Sequence, residues 1–485
     1  MKKMIAFLLV CVLLFACLPM ASAKKDRDRG VVPRIYLTGF GSAIYYNEGK
    51  PEQELVSVAN TDGIEETIFL DLLPALAGGA ATLNAETAAN GVNALLYDLM
   101  GHLACDKSGN TIAPISVTPR LDTKQDHQKE PQYDYLYDWR LDMVDAAEGL
   151  YAFIKEVAAQ TGHKKVALLA DSEGCNVVMA YLALYKQEYL DSVVLNIPAI
   201  GGLTMVGELF TGNADISIPT LMDYLAQTVG DDSGTLDSFL EIVRVLGILA
   251  PLVTGAEALV SELAPYLYDG ALMDIFGTMP CLWSFVPPAY FDDAKEFMFA
   301  GKTGYDGLIR KINRYHDLVQ VNAVSLLRNT SKAGVKVALS VNYGKALIPV
   351  TKNCDYESDS LIDTHRASAG ATVARRHKTL PGSTVGKYRS ADGVIDASTC
   401  ALPDQTWFVK GLEHEPRPMR DWANWVIDSK EQVTITSDPL YPQFLQADAD
   451  WNISPLSDSP EEPLSTDVGA AFETFSDNLF PLLTK

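Results

Sequence analysis

Cysteine is scarce in this chain, with seven among 485 residues, and no two of them stand in C-x-x-C spacing. That removes the zinc-ribbon and dithiol redox motifs. Cys11 and Cys17 lie in the apolar leader described below, which leaves Cys105, Cys175, Cys281, Cys354 and Cys400. One or two disulfides are compatible with that odd number, and the pairing stays open. Basic charge is also short. Lysine and arginine number 39 against 62 acids, for a net charge of −23. A surface this acidic repels phosphate backbones and anionic membranes, which excludes nucleic acid as a partner and leaves apolar contact as the way to touch lipid. Long apolar runs are missing beyond the first 23 residues. Glu241, Arg244, Glu257 and Glu262 interrupt the most hydrophobic later stretch, so no membrane-spanning helix fits there.

What is present is a core-forming composition: 48% hydrophobic and 21% charged residues, normal for a folded enzyme. Lys2 and Lys3, the apolar stretch 4–18 and the small residues Ala21-Ser22-Ala23 read as a secretory leader, so the expected location is extracellular or periplasmic. A membrane anchor is the alternative, but the run is shorter than the roughly 20 residues that span a bilayer. A lipoprotein form through Cys17 is a further one. Loss of the leader removes two lysines and no acid, leaving −25.

Strand and helix signals alternate from Arg34. Ile35-Tyr36-Leu37 reads as a buried strand that ends in the glycine turn Thr38-Gly39-Phe40-Gly41-Ser42. Residues 133–139 read as a strand, 142–160 as an amphipathic helix, 165–170 as a strand, 175–185 as a helix and 191–197 as a strand. This rhythm predicts an α/β fold with a mostly parallel sheet and helices on both faces. Residues 203–305 then turn long-helical (239–253 and 256–267 are examples) and read as a helical cap, a separate second domain being the alternative. Strands resume at 335–343 and 405–412, and a closing helix is expected at 416–429. The expected organisation is a leader at 1–23, a core at 24–202, the cap at 203–305, the second part of the core at 306–430 and an acidic, loosely ordered tail at 431–485.

The chemistry centres on Ala170-Asp171-Ser172-Glu173-Gly174, set between a strand and a helix. A tight strand-to-helix turn strains its middle residue and requires small neighbours two positions away on either side, which Ala170 and Gly174 supply. A serine that merely caps the helix is the competing reading. A serine nucleophile needs a histidine, and the histidine needs a carboxylate. The chain order Ser, acid, His removes His102, His127 and His163. His316 reads as a surface residue, and His365 and His377 lie in a polar loop. His414 follows the strand Thr406-Trp407-Phe408-Val409-Lys410 and a turn at Gly411, where the base belongs. Asp392, before Gly393, is the expected acid, with Asp396 and Asp355 as rivals. The run Asp355, Glu357, Asp359 reads as a solvated loop. The Phe40 and Glu173 amides are the expected oxyanion donors, and neither metal nor cofactor is called for.

Four segments together resemble the lecithin:cholesterol acyltransferase family, which includes the lysosomal phospholipases. They are Leu37-Thr38-Gly39-Phe40-Gly41-Ser42, Tyr137-Asp138-Trp139-Arg140, the Ser172 pentapeptide, and Ala391-Asp392-Gly393-Val394-Ile395 leading to Gly411-Leu412-Glu413-His414. The resemblance spans about residues 34–428. It implies an α/β-hydrolase with a cap, acyl transfer from a lipid ester to water or an alcohol, and a triad of Ser172, Asp392 and His414 with Phe40 in the oxyanion loop. Asp171 departs from it, standing where the family commonly has histidine. The expected function is a secreted lipase or esterase, with Leu282, Trp283, Phe285 and Val286 of the cap against the acyl chain or in the cap's own core, and with transient lipid contact through the cap. Amide or peptide hydrolysis on the same triad, and a non-catalytic binding protein on a hydrolase scaffold, are the alternatives.

Overall fold

A computed structural model describes residues 30–41, 44–45, 55–56, 84–112, 117, 121–214, 224, 256–382 and 386–457. The leader at 1–23, Ser42, the segment 239–253 and the end of the tail at 458–485 lie outside the described residues.

Eight strands form one sheet: β1 (Arg34–Leu37), β2 (Gln132–Asp134), β3 (Val166–Asp171), β4 (Leu190–Asn196), β5 (Lys336–Tyr343), β6 (Thr406–Lys410), β7 (Phe444–Ala447) and β8 (Ile453–Pro455). Their order across the sheet is β8-β7-β6-β5-β4-β3-β1-β2. Every neighbouring pair is parallel except β7 with β8. Parallel neighbours need crossovers, and helices supply them. The helices used below are α1 (Ala85–Met100), α2 (Met143–Thr161), α3 (Gly174–Tyr185), α4 (Thr204–Phe210), α5 (Ala256–Tyr268), α6 (Pro280–Ser284), α7 (Phe291–Met298), α8 (Asp306–Leu318), α9 (Ala323–Lys332), α10 (Thr364–Ala367) and α11 (Arg420–Asp428).

Both faces of the sheet are buried, and alternate residues of each central strand enter two separate cores. Val166, Leu168 and Ala170 of β3 join Val337, Leu339 and Val341 of β5 in the larger core, with α2, α3, α8 and α9. Ala167, Leu169, Val194, Ala338, Trp407 and Val409 face the other way, onto Trp422, Ala423, Val426 and Ile427 of α11. Asp142 caps α2 by accepting from the Val144 amide, and Gly162 ends that helix in the left-handed region at φ +68°.

The described part of 203–305 is helical, in α4, α5, α6 and α7, and lies between β4 and β5 in sequence. Leu263 of α5 packs with Ala88, Ala89, Leu95 and Leu99 of α1, a helix that the sequence analysis did not single out. Two expectations change. The segment 133–139 is a strand only as far as Asp134, because its later residues serve side-chain bonds: Tyr137 donates to the Thr38 carbonyl at 2.8 Å, and Asp138 pairs with Arg140 at 2.8 Å. The stretch from 431 is not all loose tail. Phe444 and Leu445 pack on the sheet, Leu445 fully buried, and residues 444–455 add the last two strands.

Candidate active site

Ser172, His414 and three loops meet where β1, β3, β4, β5 and β6 end, the carboxyl edge at which parallel sheets hold ligands. Ser172 follows β3 and carries φ +51°, a left-handed conformation that side chains rarely adopt. Its amide donates to the Asn196 carbonyl at 3.0 Å, and its carbonyl accepts from the Cys175 amide at 3.1 Å. The turn is crowded, which accounts for its small residues. A Cβ on Gly174 would lie 2.7 Å from the Leu37 carbonyl oxygen, and one on Gly39 would lie 2.7 Å from the Ser172 Cβ. The expected turn is therefore present, and the loop after β1 presses directly on the serine.

His414 lies four residues beyond β6. Its Nε2 is 2.8 Å from the Ser172 Oγ, and its Nδ1 is 2.7 Å from the Asp359 Oδ2. The carboxylate thus fixes the imidazole tautomer: Nδ1 donates to Asp359, and Nε2 is left to accept from the serine hydroxyl. Asp359 is buried, and its Oδ1 accepts from the Leu361 amide at 3.0 Å and the Ile362 amide at 2.7 Å. It sits in the loop after β5, one strand before the strand that leads to His414.

Asp392, the acid expected from the sequence, is elsewhere. Its Oδ1 accepts from the Ser390 hydroxyl at 2.6 Å and the Val394 amide at 3.1 Å, while its Oδ2 meets the Tyr343 hydroxyl at 3.0 Å and the Lys410 ammonium at 3.1 Å. Burial pushes this carboxyl up, but Ser390, Lys410 and the Val394 amide outweigh it and hold the group below its usual range. It secures the turn at Gly393, which has φ +73°. Neither rival joins the site. Asp396 caps a short turn through the Ser398 amide, and Asp355 pairs with Arg375 at 2.7 Å.

The two expected oxyanion residues border the serine. Glu173 is the first residue before α3, so its amide lies at a helix N-terminus. Among the described residues, neither the Glu173 nor the Phe40 amide donates to a main-chain carbonyl. The Glu173 side chain is fully buried in the larger core, where burial first, and then Asp138, push its carboxyl far above the usual range. The Phe40 ring lies 4.2 Å from the Trp139 ring and 6.2 Å from the Phe285 ring. The segment Asp138-Trp139-Arg140 therefore builds the site from behind. The aspartate and arginine hold each other, and the tryptophan supports the residue on the oxyanion loop. Of the cap residues singled out from the sequence, Trp283 packs among Phe210, Phe291 and Phe299. Val286 is fully buried and Leu282 is buried. Phe285 is the one that reaches toward Phe40.

Asp171, beside Ser172, is a buried anchor. Its Oδ2 accepts from Arg420 at 2.6 Å and from the Tyr36 hydroxyl at 2.5 Å. Burial raises this carboxyl, and Arg420 offsets the rise only in part. His316 stacks on Phe291 at 3.8 Å, remote from this chemistry, and the His365 imidazole is pushed down to about 4 by burial and neighbouring arginines. All five described cysteines are buried, and no two of them form a disulfide. Among the described residues, no cluster of three or more His, Cys, Asp or Glu side chains is arranged to hold a metal ion, and no helix is long and apolar enough to cross a membrane.

No family model matches the chain, and no curated protein does. Among solved structures it is similar to a chain in the crystal structure of the Tle4-Tli4 complex, at 15% identity and a TM-score of 0.20, over 37% of this protein and 48% of that chain. The match thus spans about half the length of the solved chain. At that score the likeness carries no argument about function.

Proposed function

We propose that this protein is a serine hydrolase of the α/β-hydrolase type that cleaves acyl esters through an acyl-enzyme on Ser172. The observation that carries the reading is His414, which bridges the Ser172 Oγ at 2.8 Å and the Asp359 Oδ2 at 2.7 Å beside a strained strand-to-helix turn. Serine, acid and histidine follow the parallel strands β3, β5 and β6, in the chain order of that fold. The Ser172 oxygen attacks the ester carbonyl as its proton passes to the His414 Nε2. Asp359 stabilises the imidazolium, and the oxyanion rests on the Glu173 and Phe40 amides. The alcohol leaves with the proton from His414. A water, or a second alcohol, then gives its proton to His414 and attacks the acyl carbon, releasing the acid or new ester and restoring Ser172.

Phe40, on the loop that presses on Ser172, stands against the Trp139 and Phe285 rings, an apolar setting that supports an acyl ester over a polar substrate. The likeness to lecithin:cholesterol acyltransferases belongs to this reading, with Asp359 rather than Asp392 as the acid. Export belongs to it too, and rests on the leader sequence at 1–23.

The test is labelling by a fluorescent fluorophosphonate, with turnover of p-nitrophenyl esters of increasing chain length. Wild type should label and turn over, and Ser172→Ala should do neither while unfolding at the same temperature. An unlabelled, inactive but folded wild type, or an active Ser172→Ala protein, overturns the reading.

A further inference from the structure

Strand β5 is buried along its whole length, yet it places Ser340 and Asn342 two residues apart on one face. That face is the one that meets α11, since Ala338 of the same parity lies in the smaller core. Register aligns Asp171 with Asn196 and Asn196 with Ser340 on neighbouring strands. Four polar side chains therefore form a band under the carboxyl edge of the sheet, in an interior where each must be matched by a partner.

Their partners are not one another alone. The Asn196 Nδ2 donates to the Pro416 carbonyl at 3.0 Å, and its Oδ1 is held by the Ser340 hydroxyl. The Asn342 Nδ2 donates to the Glu413 carbonyl at 2.8 Å and to the Glu415 carbonyl at 3.2 Å. These are the two residues that flank His414. Because both contacts are carbonyl oxygens, the amide must present its nitrogen to them, which settles its orientation. The same loop is anchored at its start by the Gly411 amide on the Tyr343 carbonyl at 2.9 Å, and beyond it Arg420 pairs with Asp171. Asn342 thus grips the backbone on both sides of the histidine. Its Oδ1 is buried without a partner among the described residues, so an apolar side chain would suit this position better if packing were all that it served.

We propose that Asn342 is a positioning residue. By clamping the carbonyls of Glu413 and Glu415 it sets the height and tilt of the His414 ring between Ser172 and Asp359. The proposal rests on the hydrolase reading for its consequence in rate, but the geometry it asserts can be measured without turnover.

The test uses Asn342→Asp, which keeps the shape and replaces the double donor by an acceptor that faces two carbonyls, and Asn342→Ser, whose smaller side chain leaves room for water. Two readouts are taken on the full chain. For hydrolysis of a p-nitrophenyl ester, Asn342→Asp should lower kcat about 100-fold with KM within about threefold, the signature of a misplaced base. Asn342→Ser should lose less. In proton NMR, the downfield Nδ1–H resonance of His414, assigned by its disappearance in Asp359→Asn, should broaden or vanish in Asn342→Asp. An unchanged kcat and an unchanged resonance in a folded variant overturn the proposal. If wild type turns over no ester, loss of the resonance in Asn342→Asp still supports the clamp while the hydrolase reading falls, and its persistence removes both. Should Asn342→Asp fail to fold, the same readouts on Asn342→Ser decide.

Discussion

Two aspartates, the buried Asp359 and the half-buried Asp392, each sit in a turn, and each accepts from the main chain on one oxygen. They differ in what meets the other oxygen. Asp392 meets the Lys410 ammonium at 3.1 Å, a fixed cation on β6. Among the described residues, the Asp359 Oδ2 meets the His414 ring, at 2.7 Å, and no fixed cation. A carboxylate already matched by a lysine has its charge largely committed in the resting protein. One matched by neutral amides keeps that charge for an imidazolium that forms only when the serine gives up its proton. The comparison therefore separates a structural acid from the acid of the proposed triad by the charge of the partner.

The difference can be broken from either side. The largest effect is expected for Asp359→Asn. It keeps the shape but favours the wrong imidazole tautomer, and kcat should fall about 10⁴-fold with little change in thermal unfolding. Steady-state kinetics and calorimetry on the same sample check both halves. Asp392→Asn should do the reverse, leaving kcat nearly unchanged and lowering stability by about 2 kcal/mol through the lost Lys410 contact. Because the Asp392 carboxyl is held below its usual range, that loss should be present near neutral pH and should disappear as pH falls through the depressed value. Urea unfolding at several pH values measures it. A further buried acid sharpens the point. Asp142, at the N-terminus of α2, has no ion pair among the described residues and is pushed up to about 6, burial being the largest cause. The folded protein holds that proton more tightly than the unfolded chain, so the group weakens the fold as pH rises through about 6. Asp142→Asn keeps the cap and should stabilise the protein by about 1 kcal/mol at pH 8, with the gain vanishing near pH 4.

The serine and the histidine were legible because their signals are local. A small-x-Ser-x-Gly turn between an apolar strand and a helix, and a histidine just past a strand and a glycine, each carry their own geometry. Asp359 was not, for a physical reason. The run Asp355, Glu357, Asp359 looks solvated only while its partners are ignored. Arg375 and Arg376, some twenty positions on, pair with Asp355 and Glu357, and they let the loop fold back with Glu357 and Asp359 buried. Two adjacent arginines downstream of an acid run were the available signal. Asp392-Gly393 attracted the assignment because an aspartate before a glycine makes a turn, and a turn is what it makes. The parallel sheet was readable from β1, β3, β4, β5 and β6, whose apolar runs are continuous. Strands β7 and β8 were hidden by the acidic, serine-rich composition around Phe444 and Leu445, and α1 by a sequence of mixed small, polar and apolar residues, Gly91 among them, with no neighbouring strand to frame it.

The late position of β7 in the chain sets an order of events. The strand that leads to His414 is shielded on its outer side by residues 444–447, which leave the ribosome after everything in the triad has been made. Until they arrive, β6 is an open edge with unpaired amides and carbonyls, the surface on which nascent chains join one another. Synthesis thus passes through an interval in which Ser172, Asp359 and His414 of the proposed triad all exist but the scaffold beneath His414 is unfinished, and a ribosome stalled within that interval holds a chain prone to stick rather than one ready to work.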